Sequence, residues 1–498
     1  GIPNDIWLPQ MIKLDYEKVI PVHLSISPNG YVNTSVSVDD IKDFGGYAVV
    51  FDLGKYGRRL GTSFVYSMKP SLVKMQYPKQ SLDYLGVDFL NRVGVQSIRY
   101  GIPFVSTNSS DYQGFRQELK RLMKDFMDNN ITVMLMFGEG RMAQSMPLGT
   151  TRPHLDENGK FLHTKQDLVW LPELDEDFKK FVKELCLDFG WPKGPVTAVC
   201  LWNEPWEGTS ISGWQADMIR YKEIYTKMAE AVLEARKKNI DVLVGGGDSN
   251  SNALDKFFAD GTMDMLPIFD FLSIHYQGME APVLYPEWNK RKDNKGRVKI
   301  WDTESWVGNT DDRVGLVIAA NRSAGYDRSM GIFGGYMYSG DPNRSVRSME
   351  VRTEKGKETM PKLHNTWSAA AAVGAAQSMI GEREFDRLLF KNGLPWVMIF
   401  DGYENKKDDG TIVITGDLGE AFGAENILFR NVRSLSEARK KIDLHHKLKT
   451  LPANSAERKK IENELNTYYP ITDGKMILKA NPSFLLYDFY GNVIAPKN

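Results

Sequence analysis

The sequence predicts an α/β protein: a (β/α)8 TIM barrel with an accessory β-sandwich-like domain built from the N- and C-terminal segments. Between residues 61 and 380, short β-rich runs alternate with amphipathic helical patterns, which is typical of a parallel sheet. Eight strand–helix units fit into this stretch, and that number and length suit a closed barrel. The flanking residues 1–60 and 381–498 return to short strand patterns, which predicts the accessory domain.

The predicted barrel strands are short and rich in β-branched residues. They lie at residues 62–66, 95–100, 131–137, 196–202, 241–245, 269–275, 298–302 and 330–338. The clearest helix follows the fourth strand, where apolar residues recur at spacings of three and four from Met218 to Ala235. A doubly wound sheet is the alternative, but no glycine-rich phosphate loop follows the first strand. The three glycines at 245–247 are interpreted as a tight turn.

The flanking segments are predicted to form one domain. The strand patterns lie at residues 19–24, 30–38 and 46–51 on the N-terminal side and at 394–400, 411–415, 475–479 and 484–489 on the C-terminal side. Three short strands make a poor domain alone, so the N-terminal ones are expected to complete the C-terminal sheet. A charged helical hairpin at about 434–467 interrupts this sheet, with capping-box patterns at Ser434-x-x-Glu437 and Asn454-x-x-Glu457.

The composition excludes several classes of protein. Hydrophobic residues make up 42% and charged residues 26% of the chain, as in ordinary globular proteins. A formal net charge of −1 argues against nucleic acid or an anionic membrane as the main partner. No apolar run reaches the roughly 20 residues of a membrane span. The two cysteines, Cys186 and Cys200, exclude a disulfide framework and are expected to be buried.

The most informative stretch is residues 196–206, an apolar run that stops at Trp202-Asn203-Glu204-Pro205. A proline cannot continue a central strand and favours extended backbone in the preceding residue, so Glu204 is predicted at the strand's C-terminal tip. A carboxylate there is costly unless it faces a cleft or a partner. A purely structural Glu–Arg pair at the base of a loop is the alternative.

A second stretch has the same form about a hundred residues later. The run Val298 to Trp301 continues into Asp302-Thr303-Glu304 and is followed by Trp306. Two carboxylates that face each other are the minimum requirement for cleaving a glycosidic bond, and flat aromatic rings suit the apolar faces of sugars. Five of the eleven tryptophans lie in or just after these two stretches: Trp202, Trp206, Trp214, Trp301 and Trp306. The sequence therefore predicts a carbohydrate-cleaving site with Glu204 and Glu304 as the catalytic residues.

Other strand ends supply candidate substrate-binding residues. Arg99 ends the second predicted strand, His275 and Tyr276 end the sixth, and Tyr338 ends the eighth. The long segment 138–171 ends near Trp170 and fits either a lid or subsite wall or, as the alternative for any single residue in it, an ordinary surface loop. No His-x-His or His-Glu-x-x-His pattern occurs, so no metal site is predicted.

The motif Trp202-Asn203-Glu204-Pro205 on strand four, with Trp301 to Glu304 on strand seven, resembles the clan A glycoside hydrolases, which are retaining (β/α)8 enzymes. The resemblance covers residues 61–380. It implies that Glu204 is the acid/base, that Glu304 is the nucleophile, and that Asn203 binds the sugar 2-hydroxyl. It also implies that Tyr276 hydrogen-bonds the nucleophile with Arg99 nearby, and that no cofactor is needed.

The expected substrate is a β-linked oligo- or polysaccharide, because Trp170, Trp206, Trp214 and Trp306 could line the barrel's carboxyl end and would give a cleft several aromatic platforms. An extracellular or periplasmic location follows from that function, and any leader is expected to have been removed, since the sequence begins at Gly1 without a signal-peptide pattern. The alternatives are a non-catalytic sugar-binding barrel, a transglycosidase with the same residues, and a metal-dependent barrel hydrolase, which would need a ligand set that the motifs do not provide.

Overall fold

A computed structural model describes most of the predicted barrel and parts of its flanks. The described residues are 41–52, 58–68, 80–83, 87–138, 152–155, 161–167, 169–205, 214, 216–250, 268–275, 296–304, 312–323, 328–332, 338–339, 365–366, 369–381, 383–391, 394–400, 410–414, 451–465 and 485–494, with single residues 21, 28, 55, 440, 444, 447, 448 and 450.

The strands, in chain order, are β1 (Gly45–Asp52), β2 (Arg58–Tyr66), β3 (Gln80–Asp83), β4 (Ser97–Ile102), β5 (Thr132–Phe137), β6 (Arg152–Leu155), β7 (Phe161–Asp167), β8 (Val196–Leu201), β9 (Leu243–Asn250), β10 (Phe271–His275), β11 (Lys299–Glu304), β12 (Arg328–Ile332), β13 (Tyr338–Ser339), β14 (Asn365–Thr366), β15 (Phe385–Lys391), β16 (Leu394–Phe400) and β17 (Thr411–Ile414). The helices are α1 (Val87–Arg92), α2 (Tyr112–Asp128), α3 (Asp175–Phe189), α4 (Met218–Arg236), α5 (Asp312–Ser323), α6 (Ala369–Met379) and α7 (Ala456–Leu465).

Eight strands close into a parallel barrel in the order β3, β4, β5, β8, β9, β10, β11 and β12, and β12 pairs with β3 to complete the circle. Helices α1 to α5 lie in sequence between barrel strands, and α6 follows the last one. The fold is thus TIM-barrel-like, and the carboxyl ends of the eight strands converge on one face.

The first barrel strand differs from the prediction. Residues 62–66 lie in β2, which pairs antiparallel with β1 as a two-stranded sheet. The barrel instead begins at β3, whose sequence Gln-Ser-Leu-Asp has one apolar residue. A β-rich composition favours a strand but does not distinguish a barrel strand from a hairpin strand. The last barrel strand also ends earlier than predicted, at Ile332, and Tyr338 begins β13, which pairs with β14.

Successive residues of a barrel strand point alternately into the barrel and out toward the helices, so both faces of the strand are buried. The outward residues pack under the helices in the main core, whereas the inward residues form a separate buried cluster of Met134, Met136, Ala198, Cys200, Phe271 and Trp301. Phe271 and Trp301 stack across the interior with ring centroids 3.7 Å apart. This cluster fills the barrel, so a ligand can reach only the strand ends.

The triple glycine lies within β9 and is not the predicted tight turn. A Cβ atom at Gly245 would lie 2.0 Å from the Phe271 ring. At Gly246 it would lie 2.7 Å from Tyr225 of α4. The strand therefore needs glycine because large rings press on it from both faces. The predicted face of α4 is confirmed, since Tyr221, Tyr225 and the apolar residues beyond them are buried.

The flanking regions form small antiparallel sheets. Strands β15, β16 and β17 make a three-stranded sheet that includes the strands predicted at 394–400 and 411–415. Asn492 ties the two ends of the chain together, since its side chain accepts a hydrogen bond from the Phe44 N–H (2.7 Å) and donates to the Phe44 carbonyl (3.0 Å). The predicted strands at 19–24, 30–38 and 475–479 lie outside the described residues. A shared β-sandwich domain and the proposed domain boundaries stay predictions.

The predicted helical hairpin is described in part. In α7 the N-cap is Ser455, whose hydroxyl accepts from the Arg458 N–H at 3.1 Å, rather than the predicted Asn454. Lys440 and Lys447 form ion pairs with Glu464 and Glu457 of this helix. Residues 485–494 contain one bridge, between Tyr487 and Val493, where a strand was predicted. Of the helices described, none is long and apolar enough to cross a membrane.

Candidate active site

Glu204 and Glu304 meet at the carboxyl ends of the barrel strands, as predicted. Glu204 follows β8 by three residues, and Glu304 is the last residue of β11. One oxygen of each carboxylate and one ring nitrogen of His275 all lie within 4.8 Å of one another. The side chains are largely buried, with 7% and 13% of their surfaces exposed. Two acidic groups therefore share a small, nearly dry volume.

A break in strand register directs Glu304 into this volume. The pairing of β10 with β11 shifts between Ile274 and His275, so that His275 lies opposite Glu304. Such a bulge re-aims side chains, because it changes which residue of the strand faces inward. Trp301 faces the barrel interior, and strict alternation would turn Glu304 toward the helices. The bulge is therefore what brings the carboxylate to the site.

Arg99 joins the two halves of the site. It lies on β4 with its guanidinium buried, and Nη1 donates to Glu304 Oε2 at 2.9 Å. Nη2 donates to Asn203 Oδ1, next to Glu204 in the chain. A guanidinium is always charged in proteins, so it stabilises the ionised form of Glu304. The predicted substrate-binding residues Arg99 and Asn203 are thus brought together with both carboxylates.

His275 lies between the two glutamates and is fully buried. Its Nδ1 is 2.9 Å from Glu204 Oε1 and 3.8 Å from Glu304 Oε2. Burial opposes protonation of the ring, but the charge of Glu304 and the hydrogen bond to Glu204 outweigh it, so the pKa of His275 is raised above its ordinary value. The ionic contact is therefore complete below about pH 6.5 and is lost as the pH rises through the raised pKa.

The backbone just after β8 is strained. Trp202 has a φ of 65° and Glu204 a φ of 48°, both in the left-handed region, whereas the proline after Glu204 predicts extended geometry. Such conformations cost on the order of 1–3 kcal/mol per residue and persist only where the surroundings enforce them. Gly138, directly after β5, makes room for the Trp202 ring, since a Cβ there would lie 2.1 Å from it.

Trp170 is not on an open surface, contrary to the prediction that it contacts substrate. It is fully buried, with its ring centroid 5.0 Å from that of Phe104 and 4.6 Å from that of Phe178. The segment before α3 folds inward and places the indole against the helix's apolar face. Trp214, also considered for this face, is buried as well. Neither ring can stack on a sugar in this structure.

The remaining predicted substrate contacts are Tyr276, Trp206, Trp306 and Tyr338. Tyr276, Trp206 and Trp306 lie outside the described residues. Tyr338 is described only as part of the backbone of β13. The long segment 138–171 contains an antiparallel hairpin of β6 and β7, which sequence inspection did not identify.

Glu204, His275 and Glu304 have the donor types and spacing for a divalent cation, although no sequence motif indicated one. However, Arg99 already places a positive charge on Glu304, and a second cation there would be repelled. The residues are better matched to acid–base chemistry between the carboxylates.

We therefore expect dialysis against a chelator to leave catalytic turnover unchanged. Added Zn²⁺ or Mn²⁺ should also leave the rate unchanged, because the Arg99 guanidinium opposes a second positive charge at the carboxylates. Initial rates before dialysis, after dialysis and after metal addition measure this. Loss of activity that one metal restores would show that the three residues hold a required ion.

No protein-family model and no curated protein sequence matches this chain. Solved structures that resemble it include a family 30 subfamily 8 xylanase from Clostridium acetobutylicum, 15% identical, with a TM-score of 0.44 over 66% of this chain and 78% of that chain. A family 30 endoxylanase from Clostridium papyrosolvens is 11% identical, with a TM-score of 0.41 over 68% and 81% of the two chains. The family 53 catalytic domain of Ignisphaera aggregans is 12% identical, with a TM-score of 0.35 over 56% and 90%.

These structural neighbours are clan A glycoside hydrolases, the group that the two sequence motifs resemble. At such low identities and TM-scores they support no assignment of substrate or residue roles. Those assignments depend on the geometry of Glu204, Glu304, Arg99 and His275.

Proposed function

We propose that this protein is a retaining glycoside hydrolase that cleaves β-glycosidic bonds by double displacement. The observation that carries the proposal is the approach of the Glu204 and Glu304 oxygens to within 4.8 Å. Retaining enzymes hold their carboxyl groups about 5–5.5 Å apart, whereas inverting enzymes need about 6.5–9.5 Å to admit a water molecule. The spacing here supports direct attack by one carboxylate.

The surroundings of the two carboxylates support different roles. Glu304 forms an ion pair with the Arg99 guanidinium at 2.9 Å, which favours an ionised carboxylate. Such a carboxylate can attack the anomeric carbon and form a glycosyl-enzyme. Glu204 instead contacts His275, and the pair can hold a proton on either group. Glu204 gives this proton to the leaving oxygen in the first step and takes one from water in the second.

Asn203 is proposed to bind the substrate beside the reacting carbon. Its Oδ1 accepts from Arg99, which leaves the amide NH2 as a donor. A hydrogen bond from this group to the sugar 2-hydroxyl would strengthen in the transition state. Arg99 thereby orients the nucleophile and the substrate-binding amide with one guanidinium.

The proposed substrate is a β-linked oligo- or polysaccharide. Trp206 and Trp306 each come two residues after a catalytic glutamate, and aromatic rings so close to the reacting bond would provide platforms on both sides of it. With Trp170 in the core, these two residues carry the argument for a cleft.

The test is a panel of aryl β-glycosides, disaccharides and soluble β-linked polysaccharides that includes xylan. We expect cleavage with higher kcat/KM on chains than on disaccharides, and NMR should show the β-anomer forming first. Initial α-anomer would exclude Glu304 as a nucleophile. No cleavage of any β-glycoside would refute the proposed function, and a preference for disaccharides would refute the cleft.

A further inference from the structure

Trp170 is held by a buried ion pair between two helices. Asp175 begins α3 and Arg220 lies in the first turn of α4. Nη1 and Nη2 of Arg220 donate to separate Asp175 oxygens, each at 2.6 Å. This two-point geometry fixes orientation as well as charge. The same groups reach Trp170: its indole N–H donates to Asp175 Oδ1 (3.1 Å), and Arg220 Nη2 donates to its carbonyl (2.9 Å).

The Trp170 indole packs against Trp202, one of the residues with strained backbone after β8. Its ring centroid is 6.0 Å from that of Trp202, and Trp214 packs on Trp202 at 5.1 Å. Trp214 in turn contacts Tyr221, whose hydroxyl donates to the Leu201 carbonyl at 3.3 Å. The residues just before Asn203 and Glu204 are thus confined by aromatic rings. A tryptophan keeps left-handed backbone angles, as Trp202 does, only where its surroundings enforce them.

Glu304 is further from this contact. It lies on β11 and contacts Arg99 and His275, which in turn bond Asn203 and Glu204. A disturbance at Trp202 therefore reaches Glu304 only through these two residues, whereas Glu204 is two residues from Trp202 in the chain.

We propose that Trp170, clamped by Asp175 and Arg220, is a positioning residue that acts through Trp202 to aim the acid/base Glu204. This inference rests on the proposed function. Its chemical consequence is selective, because misplacing the acid slows proton donation to the leaving group without impairing nucleophilic attack.

The test is Trp170→Phe, which keeps an aromatic ring but removes the N–H and part of the contact with Trp202. On β-glycosides with poor leaving groups we expect kcat/KM to fall on the order of 10–100-fold, the effect of a misplaced catalytic group. On a dinitrophenyl β-glycoside, which needs little protonation, the fall should stay within about threefold. Measuring kcat/KM on a series of aryl β-glycosides gives both effects at once: log kcat/KM should fall more steeply with leaving-group pKa in the variant than in the unmodified protein.

Phe181→Leu is the matched control. Phe181 is a fully buried aromatic residue of α3, and its ring, like that of Trp170, packs on Phe104. We expect this variant to lose stability without changing the leaving-group dependence. A general packing defect would reduce kcat/KM by the same factor on every substrate. If Trp170→Phe did so, the positioning role would be refuted.

A second measurement is independent of turnover. The groups that face His275 are Glu204, Glu304 and Arg99, so displacement of Glu204 should lower the pKa of His275. NMR titration of the histidine ring should show this decrease in Trp170→Phe and not in Phe181→Leu. If the pKa of His275 is the same in Trp170→Phe and the unmodified protein, the positioning role is refuted. This result does not depend on turnover, whereas failure to cleave any β-glycoside would refute the proposed function itself.

Discussion

Glu304→Ala should abolish turnover on every substrate, with a loss on the order of 10⁴–10⁶-fold, as when other enzymes lose their nucleophile. Glu304 accepts from Arg99 at 2.9 Å, and without its carboxylate the first step would lack the proposed attacking group. The measurement is kcat/KM on the best substrate of the panel. Glu304→Gln is the matched control for folding, because its amide oxygen can still accept from Arg99.

Azide distinguishes a missing nucleophile from a damaged site. A small anion can enter the space left by the Glu304 carboxylate and attack the anomeric carbon directly. We expect partial recovery of turnover in Glu304→Ala with an α-linked glycosyl azide as the product, identified by NMR. Recovery with a β-linked product would mean that another group forms the covalent intermediate, and the assignment of Glu304 would be wrong.

Glu204→Ala should have the second largest effect, and that effect should depend on the leaving group. Natural glycosides should lose on the order of 10²–10⁴-fold in kcat/KM, the usual contribution of a general acid. A dinitrophenyl glycoside should glycosylate this variant, with release of dinitrophenol, nearly as fast as it glycosylates the unmodified protein. Because the base of the second step is also missing, the glycosyl-enzyme should accumulate and appear as a burst of released phenol.

Two comparisons make this prediction specific. Glu204→Gln should reproduce the pattern, since an amide near His275 cannot donate a carboxylic proton. Mass spectrometry of the intact protein during the burst should show one added sugar unit. Equal losses on activated and natural leaving groups would exclude Glu204 as the acid.

The positions of the two glutamates could be predicted from sequence because each follows a local pattern. An apolar β-rich run must be buried, and the point where it ends in a carboxylate or a proline marks a strand end. Residues 196–204 and 298–304 carry this information without reference to the rest of the chain. The alternation of strands and helices then predicts that such ends meet on one face, since parallel strands in a barrel share their direction.

Contacts between distant segments decided the rest. The barrel begins at β3 because the backbones of β4 and β12 are there to pair with it, although its own sequence is polar. Glu304 faces the site because of a bulge against β10. Trp170 is a buried support because α3 offers it Asp175 and an apolar face, whereas its sequence neighbours fit a sugar platform equally well.

The sequence by itself therefore determined that Glu204 and Glu304 stand at the ends of barrel strands, because burial and strand termination are local properties. The tertiary structure alone decided how those side chains are aimed and charged. Arg99 reaches Glu304 across 205 positions of sequence, and His275 reaches Glu204 across 71. Hydrogen bonds and charge interactions act over a few ångströms, and only the closed barrel brings these groups to such distances.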